Sequence, residues 1–477
     1  MLRTYQLASL MFLSLAAITS WSPNCAHAAE RSDTRPNIIF VLLDNVGKDW
    51  FRCYGSQENQ TPNMDRLAAS GLQFRNCYVT PVCSTTRHML LTGRYPFRTG
   101  WHTHHDAAIY GGGYFDWNRE IAFPRVMKSA GYDTCISGKW QINDLFDPEQ
   151  KDALQRHGFD EYCIFPEGPK GHPAHKKRYW DAYILQNGKR VNTTGKFGPD
   201  ICTDYLIDYM RRHRDRPFLA YYSAILTHIP VVTTPRNPNE HATARDKFAG
   251  MLHYADYLIG RLVAALDELE LRENTILFVM SDNGTDNGTD QGDEQSLGGR
   301  INGRISGEGI YSLAERGINV PFIVNCPKLV PGGRFSDRLV DASDILPTLA
   351  QLGGADLPKG VTIDGRSFTS ELLGDSSNED RRPWCHTQYY TRRVVRGQRF
   401  KLYSTGEFYD LAADPLEQHS LTGTKNISSD KETMVAHRQL QNVLGSFPPD
   451  AKLWFEPRSI SARKLRAERE TKEPKSK

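Results

Sequence analysis

The sequence predicts an α/β fold: a large mixed, mostly parallel sheet with helices on both faces, followed by a smaller C-terminal α+β subdomain. Three observations carry this expectation. Short unbroken apolar runs, such as NIIFVLL at 37–43 and TILFVM at 275–280, have the length and β-branched content of strands buried on both faces. Amphipathic stretches with helical spacing separate these runs, the alternation that gives a sheet covered by helices. After about residue 375 the texture changes to short strands around turns.

Taken in order, the first strand at 37–43 ends in Asp44-Asn45. Thr61 as N-cap, Pro62 at the first helical position, a stripe of Met64, Leu67 and Ala68, and Gly71 as a stop together predict a helix. A short helix at 124–130, ended by Gly131, leads into a strand at 133–137. A helix at 201–213 feeds a strand at 218–226 that closes at Thr227-His228. A long amphipathic helix over 245–270 precedes the strand at 275–280, which runs into Ser281-Asp282-Asn283-Gly284, and 320–325 reads as one more strand. Beyond these, 394–403 and Phe408-Tyr409 read as short strands. The implied boundaries are a leader over 1–28, a main domain over 29–375, a C-terminal subdomain over 376–456, and a charged tail over 457–477 that reads as a solvated or disordered end.

Composition narrows the function classes. The chain has 477 residues, 39% hydrophobic and 24% charged, which is too apolar for a disordered protein and large enough for an enzyme. Lys and Arg (59) nearly balance Asp and Glu (56), so the strong basic excess of a dedicated nucleic-acid binder is absent. No run reaches the ~18 apolar residues of a membrane span. Arg3, the apolar stretch at 7–18 and Ala26-His27-Ala28 have the layout of a cleaved secretory signal, which predicts a mature chain from Ala29 in a periplasmic or extracellular space. Cys25 would leave with that signal. The other eight cysteines are scattered without zinc-ligand spacing, and an oxidising compartment would allow some of them to pair.

The chemistry concentrates at strand ends. Asp44-Asn45, His228 and Asp282-Asn283 each close a strand, and in open α/β sheets ligands bind beyond the carboxyl ends of the strands. Asp44, Asn45, Asp282 and Asn283 offer only oxygen ligands, suited to Ca²⁺ or Mg²⁺ rather than Zn²⁺, although Asp-Asn after a strand is also ordinary turn chemistry. Cys83 stands four residues before Arg87 at the entry to a helical stretch, a setting for an anionic nucleophile beside a guanidinium or for a plain buried cysteine.

The segment from Cys83-Ser84-Thr85-Thr86-Arg87 to Leu91-Thr92-Gly93-Arg94 resembles the signature of the type I sulfatases, the arylsulfatase-like branch of the alkaline phosphatase superfamily. Further blocks match in order: Pro36-Asn37-Ile38-Ile39 to Asp44, Thr61-Pro62-Asn63, Gly138-Lys139-Trp140, Thr227-His228-Ile229-Pro230, Ser281-Asp282-Asn283-Gly284, Asp344-Ile345-Leu346-Pro347 with Asp364-Gly365, and Tyr409-Asp410-Leu411. The resemblance implies an alkaline-phosphatase-like sheet, with 29–375 as the catalytic domain, and hydrolysis of a sulfate ester to alcohol and inorganic sulfate. It further implies that a maturation enzyme oxidises Cys83 to formylglycine, whose hydrate is the nucleophile. One Ca²⁺ would be held by Asp44, Asn45, modified Cys83, Asp282 and Asn283. Arg87 would steady the hydrate and the metal site, Lys139 and His228 would bind sulfate oxygens, and His228 would protonate the leaving group.

Four positions depart from the family pattern. Asn45 stands where an Asp is usual, which lowers the ligand charge and with it the expected Ca²⁺ affinity. Thr85 replaces a Pro or Ala that bears on recognition by the maturation enzyme. Gln141 replaces a His, and as a substrate-binding residue it can hydrogen-bond but not shuttle protons. The family's downstream Lys has no match near Glu308, where Arg300, Arg304 or Arg316 are the nearby cations. Of the remaining polar clusters, the 101–106 segment (WHTHHD) reads as a surface loop or a substrate-contacting rim, and His172 and His175 as a loop beside a cleft. Secretion points to a sulfated glycan or small molecule as substrate. The alternatives are a phosphodiesterase or phosphonate hydrolase with the same pocket, and a non-catalytic sulfated-glycan binding protein.

Overall fold

A computed structural model describes residues 35–110, 113–286, 299–301, 304–306, 310–375, 381–423 and 430–448; the expected leader 1–28 and tail 457–477 lie outside these. In chain order the strands are β1 (Asn37–Leu43), β2 (Leu72–Tyr78), β3 (Asp133–Lys139), β4 (Glu161–Phe165), β5 (Leu185–Gln186), β6 (Lys189–Arg190), β7 (Phe218–Ser223), β8 (Thr275–Ser281), β9 (Gly299–Ile301), β10 (Arg304–Ser306), β11 (Phe322–Asn325) and β12 (Arg334–Asp341). A C-terminal set follows: β13 (Cys385–Tyr389), β14 (Arg392–Arg396), β15 (Phe400–Tyr403) and β16 (Phe408–Asp410). Ten strands make one sheet in the order β12-β2-β11-β8-β1-β7-β3-β4-β5-β6. Its centre, β8 to β4, is parallel throughout, and β11 runs antiparallel to both of its neighbours. This is the mixed, mostly parallel sheet that the sequence predicts.

The unbroken apolar runs follow from burial on both faces. In β1, Ile38, Phe40 and Leu42 enter one core while Ile39, Val41 and Leu43 enter the other. Each such side chain is worth ~1.5–3 kcal/mol when removed from water, so neither face of β1 tolerates polar residues. The first core is roofed by the helices Cys83–Thr92, Phe123–Ser129 and Ile345–Gly353, through Met89, Met127 and Leu349 among others. The second is roofed by Pro62–Ala69, Gly198–Arg212 and Ala244–Glu268, through Leu67, Leu206 and Leu258. Every residue of the Cys83–Thr92 helix is buried. Gly93 ends it in a left-handed conformation (φ +67°), with its N–H donated to Met89 O at 2.9 Å.

Most predicted elements are present within a few residues of their expected bounds. The strand expected over 218–226 stops at Ser223, because the chain then turns and His228 N–H bonds Ile225 O at 2.9 Å. Eight strands, β2, β4, β5, β6, β9, β10, β12 and β13, and the helices Ile345–Gly353 and Lys431–Gly445 gave no clear sequence signal. β12 is a sheet edge whose exposed and buried residues alternate at its start, so its apolar content is diluted. The C-terminal strands form a separate antiparallel sheet, packed on Leu440 of the Lys431–Gly445 helix through Val395, Phe400, Leu402 and Phe408. Its other contacts, from Cys385, Val394 and Tyr403, reach Tyr78 and Leu339 of the main sheet.

Candidate active site

Four neighbouring parallel strands end side by side. Leu43 is in register with Ser281, Leu42 with Ser223, and Ser223 with Gly138. Asp44, Asp282, Ser223 and Lys139 therefore emerge at one sheet edge, from strands spaced ~5 Å apart. Asp44 Oδ2 accepts from Lys139 Nζ at 2.6 Å and from Arg87 Nη2 at 2.8 Å, and the same Nη2 reaches Asp282 Oδ2 at 2.8 Å. Arg87 Nη1 donates to Ser223 Oγ, which in turn donates to Lys139 O at 2.7 Å. The close approach depends on Gly138, where φ is +104° and a Cβ would sit 2.1 Å from Ser223 O. Cys83 opens its helix one turn before Arg87, on the same face. Its sulfur and a carboxylate oxygen from each of Asp44 and Asp282 lie within 4.8 Å of one another.

The cluster is not closed. Asp44 Oδ1 and Asn283 Oδ1 are buried acceptors without a hydrogen-bond partner. Unmet acceptors of this kind beside carboxylates are costly unless a cation or a donor fills the space. The donor set, two carboxylates and two amides beside Cys83, fits a hard cation. Asn45 Oδ1 accepts from Asn283 Nδ2 at 2.7 Å, and Asn45 Nδ2 is unpartnered. A half-turn of that amide would present its oxygen to the site but set its Nδ2 against Asn283 Nδ2, donor against donor, so the turn trades that hydrogen bond for a ligand oxygen.

Electrostatics reinforces this arrangement. Burial alone would push Asp44 up, but the cations Lys139 and Arg87, with the hydrogen bond from Lys139, outweigh it and hold the carboxyl at about 2. Asp282 goes the other way, raised by burial and by Asp44 to about 6. Burial also pushes the Cys83 thiol up, against the pull of Lys139, so the unmodified side chain stays protonated at neutral pH. His228 is held well below the usual imidazole range by burial and by the cations Lys139 and Arg178, and is therefore neutral.

Residues 36–355 of the chain match the family described as Sulfatase, and residues 311–444 match N-sulphoglucosamine sulphohydrolase, C-terminal. The first match spans two thirds of the sequence. The chain belongs to the sulfatase family. Human N-acetylgalactosamine-6-sulfatase is 31% identical over 360 residues, covering 71% of this chain and 66% of the relative. Among solved structures, Ps i-CgsB in complex with a neocarrahexaose superposes with a TM-score of 0.72 at 22% identity, covering 91% of this chain and 98% of the other. A protein in complex with its substrate D-glucosamine-2-N,6-O-disulfate gives 0.68 at 22% identity, covering 88% and 100%. These likenesses establish the fold.

In this sulfatase-family chain the structure brings Asp44, Asn45, Cys83, Arg87, Lys139, Asp282 and Asn283 into one cluster, and the loop that carries His228 is bonded to it through Thr227 N–H and Asp44 O at 2.8 Å. Gln141 is buried two residues beyond β3 with its Oε1 unpartnered. Thr85 is buried too, its hydroxyl donated to Val82 O at 3.0 Å and in contact with Thr80 Oγ1. The 101–106 segment is not a surface loop: His102, His105 and Asp106 are buried, His105 N–H bonds Ser84 Oγ at 2.9 Å, and the next residue, Ala107, bonds Gln141 O at 3.1 Å. His172 packs on Phe146, and His175 Nδ1 lies 3.0 Å from Gly168 O. Arg316 lines a separate cavity with Lys48, Glu315 and Arg396. Arg300 and Arg304 fall in the short β9–β10 hairpin, with side chains outside the described set as is Glu308. All eight cysteines after Cys25 are free thiols.

Sequence reasoning missed Ser223, Glu167, Arg178 and Tyr179. Ser223 was legible only as a lone hydroxyl inside an apolar run. Arg178 sat in a basic stretch, Lys176-Lys177-Arg178, that reads as a solvated loop. Its side chain is in fact only 10% exposed and pairs with Glu167.

Proposed function

We propose that the chain hydrolyses a sulfate ester of a sulfated carbohydrate, releasing the alcohol and inorganic sulfate. The observation that carries this reading is the buried cluster of Arg87, Lys139, Asp44 and Asp282 beside Cys83, with half-buried His228 on the loop bonded to Asp44 and with Asp44 Oδ1 and Asn283 Oδ1 left open. Bound Ca²⁺ and a formylglycine hydrate at position 83 would supply, respectively, positive charge at the transferring group and the attacking oxygen. Asp44, Asn45, Asp282 and Asn283 are the residues that would hold the ion. Lys139 would neutralise a sulfate oxygen. Arg87 holds Asp44 and Asp282 at fixed separation, so the site is assembled before substrate arrives. His228 would hydrogen-bond sulfate and, once protonated to the imidazolium, give a proton to the leaving oxygen and return to the neutral ring, which avoids release of an unstabilised alkoxide. Gln141 Oε1 is an acceptor suited to a substrate hydroxyl.

Several features support the finer reading. A protonated Cys83 thiol is a poor nucleophile, which favours the modified side chain over a thiolate. Among the similar proteins, N-acetylgalactosamine-6-sulfatase and those solved with neocarrahexaose and D-glucosamine-2-N,6-O-disulfate have names that concern sugars, whereas mouse steryl-sulfatase, 28% identical over 421 residues, does not. No described helix is long and apolar enough to cross a membrane, and a secreted or periplasmic location is proposed from the leader at 1–28. Residues 29–375 would carry the catalysis and 376–456 the C-terminal subdomain.

The test is mass spectrometry on the tryptic peptide 76–87 from protein isolated in its native host, with fragment ions separating Cys77 from Cys83. The expected result is an aldehyde at Cys83, together with sulfate release from sulfated sugars. An unmodified thiol in such protein would overturn the hydrate mechanism. Turnover of phosphodiesters above that of sulfate esters would overturn the assignment of substrate class.

A further inference from the structure

The strap from Lys176 to Trp180 is bonded along the loop that carries His228. Arg178 Nη1 donates to Ile229 O at 2.7 Å, and Tyr179 Oη donates to His228 O and lies 3.2 Å from Ile225 O. Trp180 Nε1 donates to Thr233 O at 3.0 Å. Glu167 holds the start of the strap, accepting Lys176 N–H on Oε1 at 2.8 Å and Arg178 Nη2 on Oε2 at 2.9 Å. On this fixed backbone Trp180 stands 39% exposed. Its ring packs on that of Phe197, with centroids 5.1 Å apart, and its N–H is spent on Thr233. What meets water is therefore an apolar ring surface held in one orientation. Lys176 and Lys177 are exposed as well, and neither makes an ion pair with a described residue. The carboxylates around them are engaged: Glu167 by Arg178, Asp181 by Gly195 N–H at 2.6 Å, and Glu240 by the Thr233 hydroxyl at 3.0 Å.

A flat apolar ring flanked by two ammonium groups suits a sugar that carries sulfate. The C–H face of the sugar covers the indole, and the flexible lysines meet sulfate oxygens as point charges. A ring already locked in place loses no freedom when it is covered, so the contact is not offset by ordering. The surface is also next to the proposed active centre. Arg178 Nη1 lies 3.0 Å from His228 Nδ1, and two residues of chain, from Arg178 to Trp180, span at most ~7 Å. One oligosaccharide therefore reaches both. We propose that Trp180, Lys176 and Lys177 form a second sugar subsite, which binds a further sulfated residue of the glycan whose ester lies at the active centre. For the active centre this rests on the sulfate-ester reading above, and it narrows the substrate class to multiply sulfated oligosaccharides rather than single sugar sulfates.

The experiment measures binding by calorimetry on the full chain carrying Cys83→Ala, so that no probe is consumed. The probes are tetrasaccharides of heparin, chondroitin 6-sulfate and carrageenan, with the 6-sulfates of N-acetylglucosamine and N-acetylgalactosamine as single sugars. The expected result is that at least one tetrasaccharide binds about tenfold or more tightly than either single sugar. Trp180→Ala should remove about tenfold of that affinity, while Trp180→Phe, which keeps an apolar ring, should retain most of it. The surface variant Lys176→Gln/Lys177→Gln should lose about three- to tenfold and should weaken the dependence of tetrasaccharide binding on salt. Because the Phe and Gln variants keep the packing of the strap, they decide the question if Trp180→Ala fails to fold. No tetrasaccharide binding above the single sugars, or equal losses on both kinds of probe in Trp180→Ala, would overturn the subsite. Absence of sulfate release from every probe by the mature, unmutated protein, with Trp180-dependent binding intact, would overturn the sulfate-ester reading and leave the subsite standing.

Discussion

Two buried clusters in this chain have nearly the same chemical inventory. One is Asp44, Asp282 and Arg87, with Lys139; the other is Asp341, Asp344 and Arg382. Both lie at or just beyond strand ends, and both pair two aspartates with one arginine out of reach of water. In the second, Asp341 accepts Ser343 N–H at 3.0 Å and Tyr95 Oη–H at 2.9 Å, Asp344 accepts Asp341 N–H at 3.0 Å and Arg366 N–H at 2.6 Å, and Arg382 Nη1 reaches Tyr95 Oη at 2.5 Å. None of its polar atoms is left over. In the first, Asp44 Oδ1, Arg87 Nε and the neighbouring Asn283 Oδ1 have no partner. The difference teaches that unused valence, rather than buried charge, separates a site from a strut.

The sharpest way to break this comparison is at Cys83. Cys83→Ala should lower sulfate release by on the order of 10⁴-fold or more, with a thermal transition close to that of the native protein. Retained turnover would remove the first cluster from the chemistry. The matching change in the closed cluster, Arg382→Met, leaves two buried carboxylates without their cation and should cost about 3–5 kcal/mol of stability in denaturant melts. A loss below about 1 kcal/mol would mean that the two clusters are not so different.

A third buried set extends the contrast to acid. Burial alone would raise Glu315, yet Lys401 and Arg396 outweigh it and hold the carboxyl at about 2. A folded value below the ordinary 4.5 means that this stabilisation is complete above pH 4.5 and lost as the pH falls towards 2. The contribution is about 3 kcal/mol as an order of magnitude. Glu315→Gln should flatten that part of the stability–pH curve, and an unaltered acid limb would count against the ion pair. The smallest effect expected is that of metal. Adding Ca²⁺ to chelator-treated protein should raise stability by up to about 2.7 kcal/mol at a hundredfold excess over Kd. Asp282→Asn should abolish that response, while Asp344→Asn should leave it in place; a shift retained in Asp282→Asn would move the ion elsewhere.

The sequence revealed the centre of the sheet more readily than its periphery. β1 and β8 are buried on both faces and so read as unbroken apolar runs, whereas β12 and β2 mix exposed and buried positions. The residues flanking the central strands, Asp44 and Asp282, were legible as motifs for the same reason, being polar punctuation after apolar text. The Asp344 and Asp364 blocks were equally legible and carried no mark that theirs is a closed arrangement, because hydrogen-bond partners come from Tyr95 and Arg382, far away in the chain. Arg178 was hidden for the converse reason. A basic run looks solvated until a distant carboxylate is found beside it.

Burial of the whole Cys83–Thr92 helix also has a consequence for timing. Any enzyme that oxidises Cys83 needs the side chain within reach, and in the folded chain it is buried. The modification proposed here would therefore have to precede completion of the sheet, setting a race between synthesis, maturation and collapse. A chain that loses the race would be as stable and as soluble as its sibling, would pass every test of folding, and would carry a thiol that no later encounter could convert. The active fraction of a preparation would then record how fast the protein was made, rather than how well it was folded.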